Sequence, residues 1–369
     1  DVLIADSSLY LGHDPTATDS TAQYNIAVGA TALDAITTGD SNVAVGYSAL
    51  GANTTGTQNV AIGRAALESN VAGTNAIAIG YRALGTQNVA NDTYNIGIGT
   101  SAGFGLTSGI KNIAIGYNTL LNEDTGAYNV AIGTSALTVL NYNGSGYNVA
   151  IGHETGKSMT TGFQNTLIGA LAGYSTTSGL YNTALGYQAL YTNVDGDANT
   201  AIGYQALYTM EPSDGLSHNT AIGYKAGYVV STGVGSTYIG SLAGVAATTS
   251  VNTGIGYKAL TALTTGTQNV AIGEEAMAGN VDGDNSVAIG YRALYVQDPS
   301  GNEDMNNVAI GHSAGLATSV GKYNTIIGQY ALATNVDGGS AIAIGYRALL
   351  NQEPSGATET YNVGIGADA

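Results

Sequence analysis

A four-residue phrase recurs twenty times in this chain: a β-branched residue, usually Ala, then Ile, Val or Leu, then Gly. Examples are Val43-Ala44-Val45-Gly46, Val60-Ala61-Ile62-Gly63, Thr200-Ala201-Ile202-Gly203 and Val308-Ala309-Ile310-Gly311. The closing glycines stand at 29, 46, 63, 80, 99, 116, 133, 152, 169, 186, 203, 223, 240, 256, 273, 290, 311, 328, 345 and 366, and thirteen of the nineteen intervals are 17 residues. A partial copy, Leu9-Tyr10-Leu11-Gly12, lies 17 residues before the first. A fixed period this short marks a solenoid, in which each repeat is one coil that buries apolar surface only against its neighbours. Coils about 4.8 Å apart give a rod of roughly 95 Å. No linker interrupts the pattern, so the sequence predicts one continuous domain over residues 1–369, with a partial coil at 1–20.

With the repeat glycine as position 0, position −3 is β-branched in all twenty copies and position −1 is Ile in seventeen, with Val28, Val45 and Leu185 as the exceptions. β-Branched residues at alternate positions predict a strand with −3 and −1 on one face, which we expect to be the core of the coil. Position −2 is Ala in fourteen copies and Gly in three, and position 0 is always Gly. Small residues on the second face of a strand imply close approach of another backbone. The expectation is therefore a homotrimer whose axis is lined by Ala44, Ala61, Ala131, Ala201, Ala271 and Ala309, widening at Leu167, Tyr238 and Ile326.

Position +3 is Ala in eighteen copies and +4 is Leu in twelve and Gly in six, which reads as a second short strand or turn, followed by a surface turn rich in Thr, Ser, Gly, Asn and Asp. Position −4 is Asn in sixteen copies, a spacing at which stacked amides can form a ladder. Position +1 is Tyr in nine copies and His at 153 and 312, with His13 in the partial copy, and seven further tyrosines precede the repeat Asn. Such rows suit either ring packing at a wet rim or a glycan track.

Five intervals exceed the common period by virtue of longer loops, at Thr86–Thr93, Val139–Gly146, Tyr208–His218, Tyr295–Asn306 and Leu350–Thr360, and three share an acid-Pro-Ser motif beginning at Glu211, Asp298 and Glu353. Insertions in repeat proteins gather on one face and carry binding. The surface candidates are accordingly Tyr142, Tyr208, Glu211, Asp214, Tyr295, Asp298, Asn302 and Glu353. The acid pairs Asp195/Asp197 and Asp282/Asp284 are the residues that would touch Ca²⁺, although an oxygen cage takes about six to eight ligands and Asp337-Gly338-Gly339 lacks the second acid; otherwise no cofactor is expected.

Composition narrows the function classes. Lys and Arg together number nine, scattered singly in a chain of net charge −17, which excludes the clustered cations of nucleic-acid binding. Zero Cys removes disulfides and thiolate metal sites. No run of about 18 apolar residues predicts a membrane span. The chain starts at Asp1 without Met and without a secretory leader, as a processed or partial chain does. No phosphate loop leads into a helix, and three of the four His sit in the repetitive +1 slot, so no enzyme activity is expected.

Asn-Val-Ala-Ile-Gly at 59–63, 129–133 and 269–273 resembles the head repeat of YadA-like trimeric autotransporter adhesins. That resemblance implies an all-β, left-handed parallel β-roll or β-solenoid, here of about 20 coils with a 17-residue repeat, in an intertwined homotrimer. Asn199-Thr200-Ala201-Ile202-Gly203-Tyr204-Gln205-Ala206-Leu207-Tyr208 is similar to repeats of bacteriophage tail and virion fibres. The expected function is a structural fibre on a virion surface, held by other virion components and bound to a host receptor, with carbohydrate as the receptor class. The alternative is the head of a bacterial surface adhesin, extracellular and bound to host matrix or another cell.

Overall fold

The computed structural model describes residues 2–5, 7–12, 21–210, 215–249, 251–299, 301–352 and 359–369. The chain is an all-β parallel solenoid of about twenty coils, and no helix occurs among the described residues. It forms two compact units, Asp1–Asn182 and Thr183–Ala369. The first opens on an antiparallel hairpin, Val2–Ala5 against Ser8–Leu11, whose second strand pairs in parallel with Ile26–Val28 and so enters the stack. Every later repeat contributes one three-residue strand, from Val43–Val45 to Thr166–Ile168 in the first unit and from Thr183–Leu185 to Val363–Ile365 in the second. Register follows the repeat: Val43 faces Val60, Ala44 faces Ala61 and Val45 faces Ile62.

Of the two forms expected for the Ala-Leu step, a short strand or a turn, it takes the turn. Positions −5, +2 and +4 take left-handed backbone, as at Ser41 (φ 59°), Ser48 (φ 55°) and Leu50 (φ 50°). Each such non-glycine residue costs about 1–2 kcal/mol. The amides they redirect find partners in adjacent coils: Ser48 N–H donates to Ala30 O (3.1 Å) one coil back, and Leu50 N–H to Ala66 O (3.0 Å) one coil ahead. Left-handed residues thus extend the ladder around the turn, at about 0.5–1.5 kcal/mol per bond. A lone coil would carry the strain without the bonds, so the coils stabilise one another.

Position 0 requires glycine for two reasons. Gly46 has φ 130°, and a Cβ there would lie 2.7 Å from the carbonyl carbon and oxygen of Gly63 in the next coil. The glycine marks a corner where consecutive coils approach backbone to backbone, rather than a surface offered to another chain.

The strand faces are the reverse of those expected. Ala44, Ala61, Ala131, Ala201, Ala271 and Ala309 are fully buried inside their own coil, beneath the Ala at +3 and the Leu at +4. They do not line an axis between chains. The outward face carries −3 and −1, where side chains such as Ile62 (39% exposed) and Leu185 (45%) are uncovered. The reason is thickness: so short a coil has room for Ala opposite Leu, and no room for Val and Ile from one side to meet Leu from the other.

The larger residues at −2 test that account. Leu167, Tyr238 and Ile326 also point inward and are buried, and each meets a Gly at +4, in its own coil for Leu167 and Tyr238 and in the preceding coil for Ile326, whose own +4 residue is Leu332. A Cβ on Gly244 would fall 2.2 Å from the Tyr238 ring, one on Gly173 2.8 Å from Leu167 Cδ1, and one on Gly315 2.8 Å from Ile326 Cδ1. The volume gained on one wall is surrendered by the other.

The sixteen asparagines at −4 build the expected ladder, with a second function. Asn42 Nδ2 crosses the interior to donate to Gly56 O (2.9 Å), while its Oδ1 accepts from Asn59 N–H (3.0 Å) in the next coil. One amide therefore clamps both across its coil and along the stack. Where −4 is Ala the ladder ends in a backbone donor, Ala76 N–H to Asn59 Oδ1 (3.0 Å), and where it is Ser the hydroxyl carries the ladder on, Ser236 Oγ accepting from Asn252 N–H (3.2 Å). The left-handed residue is its neighbour at −5, not the Asn itself.

Volume complementarity gives a direct expectation. Tyr238→Ala should leave a cavity and cost about 3–5 kcal/mol, and Gly244→Leu alone should overpack the coil. The double variant restores the common Ala-and-Leu pairing and should lose less than Tyr238→Ala alone. Denaturant unfolding of the four proteins measures the coupling; strict additivity would contradict the packing described.

Candidate attachment surfaces

All five long loops leave the coil between position +7 and position −7 of the following repeat. Each returns through an isolated parallel bridge of one kind: Thr74 with Asp92 and Ala127 with Ser145 in the first unit, and Asp197 with Leu216, Asp284 with Asp304 and Gly339 with Glu359 in the second. The insertions are therefore confined to one stretch of the coil, away from the outward Val and Ile residues.

Position +7 points inward and was not recognised in the sequence. It is buried as Asn53, Asn70, Asn280 or Asn335 in some coils and as Ile36, Leu106, Leu140, Met159 or Leu263 in others. Its mixed polarity hides it from any apolar-periodicity reading. One signal was available: +7 is Gln only at Gln87, Gln297 and Gln352, all in coils with long loops. There the Gln oxygen accepts from the next ladder Asn, Asn95 at 2.8 Å, Asn307 at 3.0 Å and Asn362 at 3.0 Å. It spans the place where a loop stretches the period.

Glu123 occupies the same slot. Its Oε1 accepts from Gly126 N–H (2.9 Å), the bond that Asn280 Oδ1 makes with Gly283 N–H elsewhere, and its Oε2 accepts from the backbone N–H of Tyr142 (3.5 Å) in the second loop. Burial pushes the Glu123 carboxyl above the usual glutamate range, against the opposing effect of these donors.

The loop candidates fall in different places. Tyr142 stacks on Phe163 (centroids 5.1 Å apart), which meets Tyr181 edge-on at 5.7 Å. Tyr295 lies under the Arg292 guanidinium (5.1 Å), itself paired with Glu275 at 2.6 Å. Asp298 and Asn302 are exposed. Glu211, Asp214 and Glu353 lie outside the described residues, as does His13.

Tyr208 stands in the densest aromatic group. It stacks between Tyr191 and Tyr228, 5.0 Å from each with interplanar angles of 2° and 9°. Tyr187, Tyr204 and Tyr224 form a second row at 5.6 and 5.3 Å, and Lys225 Nζ lies 5.6 Å from Tyr224 and 5.1 Å from Tyr228. Burial among these rings raises the Tyr208 phenol. Because the rings stack along the coil axis, their faces are spent on each other. The surface presents ring edges and hydroxyls, so this row is packed structure first, and a sugar would meet hydrogen-bonding groups in preference to a flat platform.

The acid pairs are engaged in turns. Asp282 Oδ1 accepts from Thr265 Oγ1 (2.6 Å), and Asp284 Oδ1 from the backbone and hydroxyl of Thr267, the latter at 3.1 Å. Asp197 N–H donates to Gly215 O (2.7 Å). Among the described residues no three His, Asp or Glu converge as metal ligands, and Asp195 joins no such group. His312 packs between Tyr291 (4.9 Å) and Tyr330 (5.3 Å), as a ring in a row.

No family model and no curated protein matches the chain.

Glu123 sets a pH dependence. A carboxyl with a raised folded pKa favours the protonated state, so its contribution to stability is complete below the ordinary glutamate range and is lost as pH rises through the raised value. Glu123→Gln should flatten that decline and raise the thermal midpoint at neutral pH relative to the parent, read by melting both proteins from pH 4 to 8. A parent whose midpoint falls no further than the variant's across that range would exclude the buried carboxyl as its source.

Proposed function

We propose that the chain is a structural, non-catalytic attachment fibre of a phage virion, assembled as a homotrimer and displayed on the virion surface, with host-surface carbohydrate as the receptor class. The observation that carries this reading is the outward face of the strands. Among the described residues, the exposed large apolar side chains other than Val71, Val194, Leu216, Val234, Val296 and Val336 all lie at −5, −3, −1 or +1. Such a face is roughly 20 Å wide, and at about 4.8 Å per coil some ten coils present on the order of 1,000 Å². That exceeds the few hundred Å² that monomers leave bare and matches one partner's share of a stable interface, about 800 Å². Sister chains related by an axis along the stack would cover every coil alike. The loops leave from another part of the coil and stay free to reach a receptor, where three copies supply avidity to weak contacts.

Light scattering of the native particle should give three times the chain mass of 37.0 kDa. Ile62→Lys with Ile79→Lys should reduce this to a single folded chain, since each side chain is uncovered before assembly and an exposed substitution changes stability by only about 0.5 kcal/mol. A trimer that survives the two lysines would sink the proposed interface. Receptor binding is tested separately, by host-cell and glycan-array binding of trimers in which each of the five long loops in turn is cut to the common length; undiminished binding by all five would overturn the attachment role.

A further inference from the structure

The flanks of the uncovered face carry a pattern that no contact within one chain explains. Seven coils have Tyr at −5 and nine have Tyr at +1, yet only the coil of Gly186 has both, Tyr181 and Tyr187. Fourteen coils therefore carry a single tyrosine, as Tyr94 opposite Thr100 and Tyr47 opposite Ser41, and in all but the coil of Gly256, where Val251 faces Tyr257, the other flank is small or polar; five coils carry none. Twenty repeats serve as an internal alignment, and positions that compensate one another are in contact; independent placement would give about three coils with both tyrosines. Both flanks are open: Tyr47 is 55% and Tyr94 50% exposed. They stand at opposite ends of the strand triplet, −5 two residues before it and +1 two residues after it, as Ser41 and Tyr47 flank Val43–Val45. Contacts within a flank run from coil to coil, as Tyr128 to Tyr147 at 5.0 Å and Tyr204 to Tyr224 at 5.3 Å, and these would favour runs of Tyr on one side without excluding Tyr from the other.

We infer that the −5 flank of each coil packs against the +1 flank of the same coil in a second copy of this chain, and that in fourteen of the twenty coils a single tyrosine fills the seam. This rests on the homo-oligomeric reading above and adds the register. A rotation axis along the stack moves no coil up or down, so coil meets identical coil, and the head-to-tail contact closes a ring. The seam lies at the edge of the Val and Ile face, where a phenol can bury its ring and keep its hydroxyl in water. Two tyrosines would overfill the gap and two small residues would leave it open, and each arrangement occurs once, at Tyr181/Tyr187 and at Gly235/Ser241; the other four coils without tyrosine carry at least one longer polar side chain.

The absence of Cys allows a direct test. In the full chain, Ser41→Cys with Tyr47→Cys places thiols on the two flanks of one coil. They are too far apart to join within a chain, since a disulfide needs Cα atoms within about 7 Å. Mild oxidation should link them between chains, giving a covalent three-chain band on a non-reducing gel, and Ser340→Cys with Tyr346→Cys should behave alike. Ser41→Cys with Tyr117→Cys, four coils out of register, should give none. Matched pairs that link no better than the mismatched pair, in particles still of threefold mass, would overturn the seam and leave the trimer standing. Particles of single-chain mass before oxidation would overturn both, and a covalent two-chain ring of twofold mass would keep the seam and reject three copies.

Discussion

The interior of each coil is only as thick as an alanine set against a leucine, and the remaining features follow from that. A coil this thin cannot hold the β-branched side chains of its own strand, so they turn outward. It leaves few buried polar atoms unpaired, Asn70 Oδ1 and Thr318 Oγ1 among them, because an unpartnered polar atom in an apolar interior is costly. Hence the ladder amides that bond both across and along the stack, and the asparagines at +7 that tie off the adjacent turn. The repeat glycine belongs to the same constraint: the corner bends with φ near 130° while the next coil's backbone passes within contact of its Cα hydrogen.

Thinness also explains why stability must be shared. A single coil offers one buried leucine, worth about 1.5–3 kcal/mol, against three left-handed residues at about 1–2 kcal/mol each. Only the bonds to the coils on either side reverse that balance. The solenoid therefore has no independent core at any coil, and its cooperativity is of the nearest-neighbour kind. The exceptions are local and paired, as Tyr238 with Gly244 and Leu167 with Gly173, because a volume error in one layer has no distant cavity into which it can relax.

The period, the strand triplets, the Asn ladder and the positions of the loops were legible in the sequence because each is one-dimensional: a spacing, a residue type at that spacing, or a departure from it. The sense of the strand was not. Alternation separates two faces of a strand without saying which one is inside, and the usual rule that the larger apolar residue is buried fails when the available depth is that of Ala44. The second side of the coil was left open between strand and turn for a related reason. Ala49-Leu50 has the composition of a short strand, but its left-handed residues are chosen by the neighbouring coils' carbonyls, which no propensity records. The slot at +7 was missed because Asn53, Glu123 and Met159 share no property except depth. Among the loop candidates, Tyr142 and Tyr208 proved to be packed rings, and the sequence had no means of distinguishing ring faces buried on one another from ring faces open to a ligand.

The inversion of the faces changes what the chain needs from its surroundings more than it changes the fold. With alanine outward, a second chain would be an addition to a finished molecule. With Val and Ile outward in coil after coil, the solenoid leaves uncovered the very residues whose burial contributes most per side chain, in a chain with only 9% charged residues to keep such a surface apart from others. Water is a poor neighbour for that face along its whole length, and a surface that repeats every 17 residues is matched best by another surface with the same repeat. A copy of the chain itself is the one partner guaranteed to have it, including the irregular intervals of 19, 20 and 21 residues, because those lengthen loops without displacing the strands. The loops can therefore vary in length and sequence while the spacing of the apolar face stays constant.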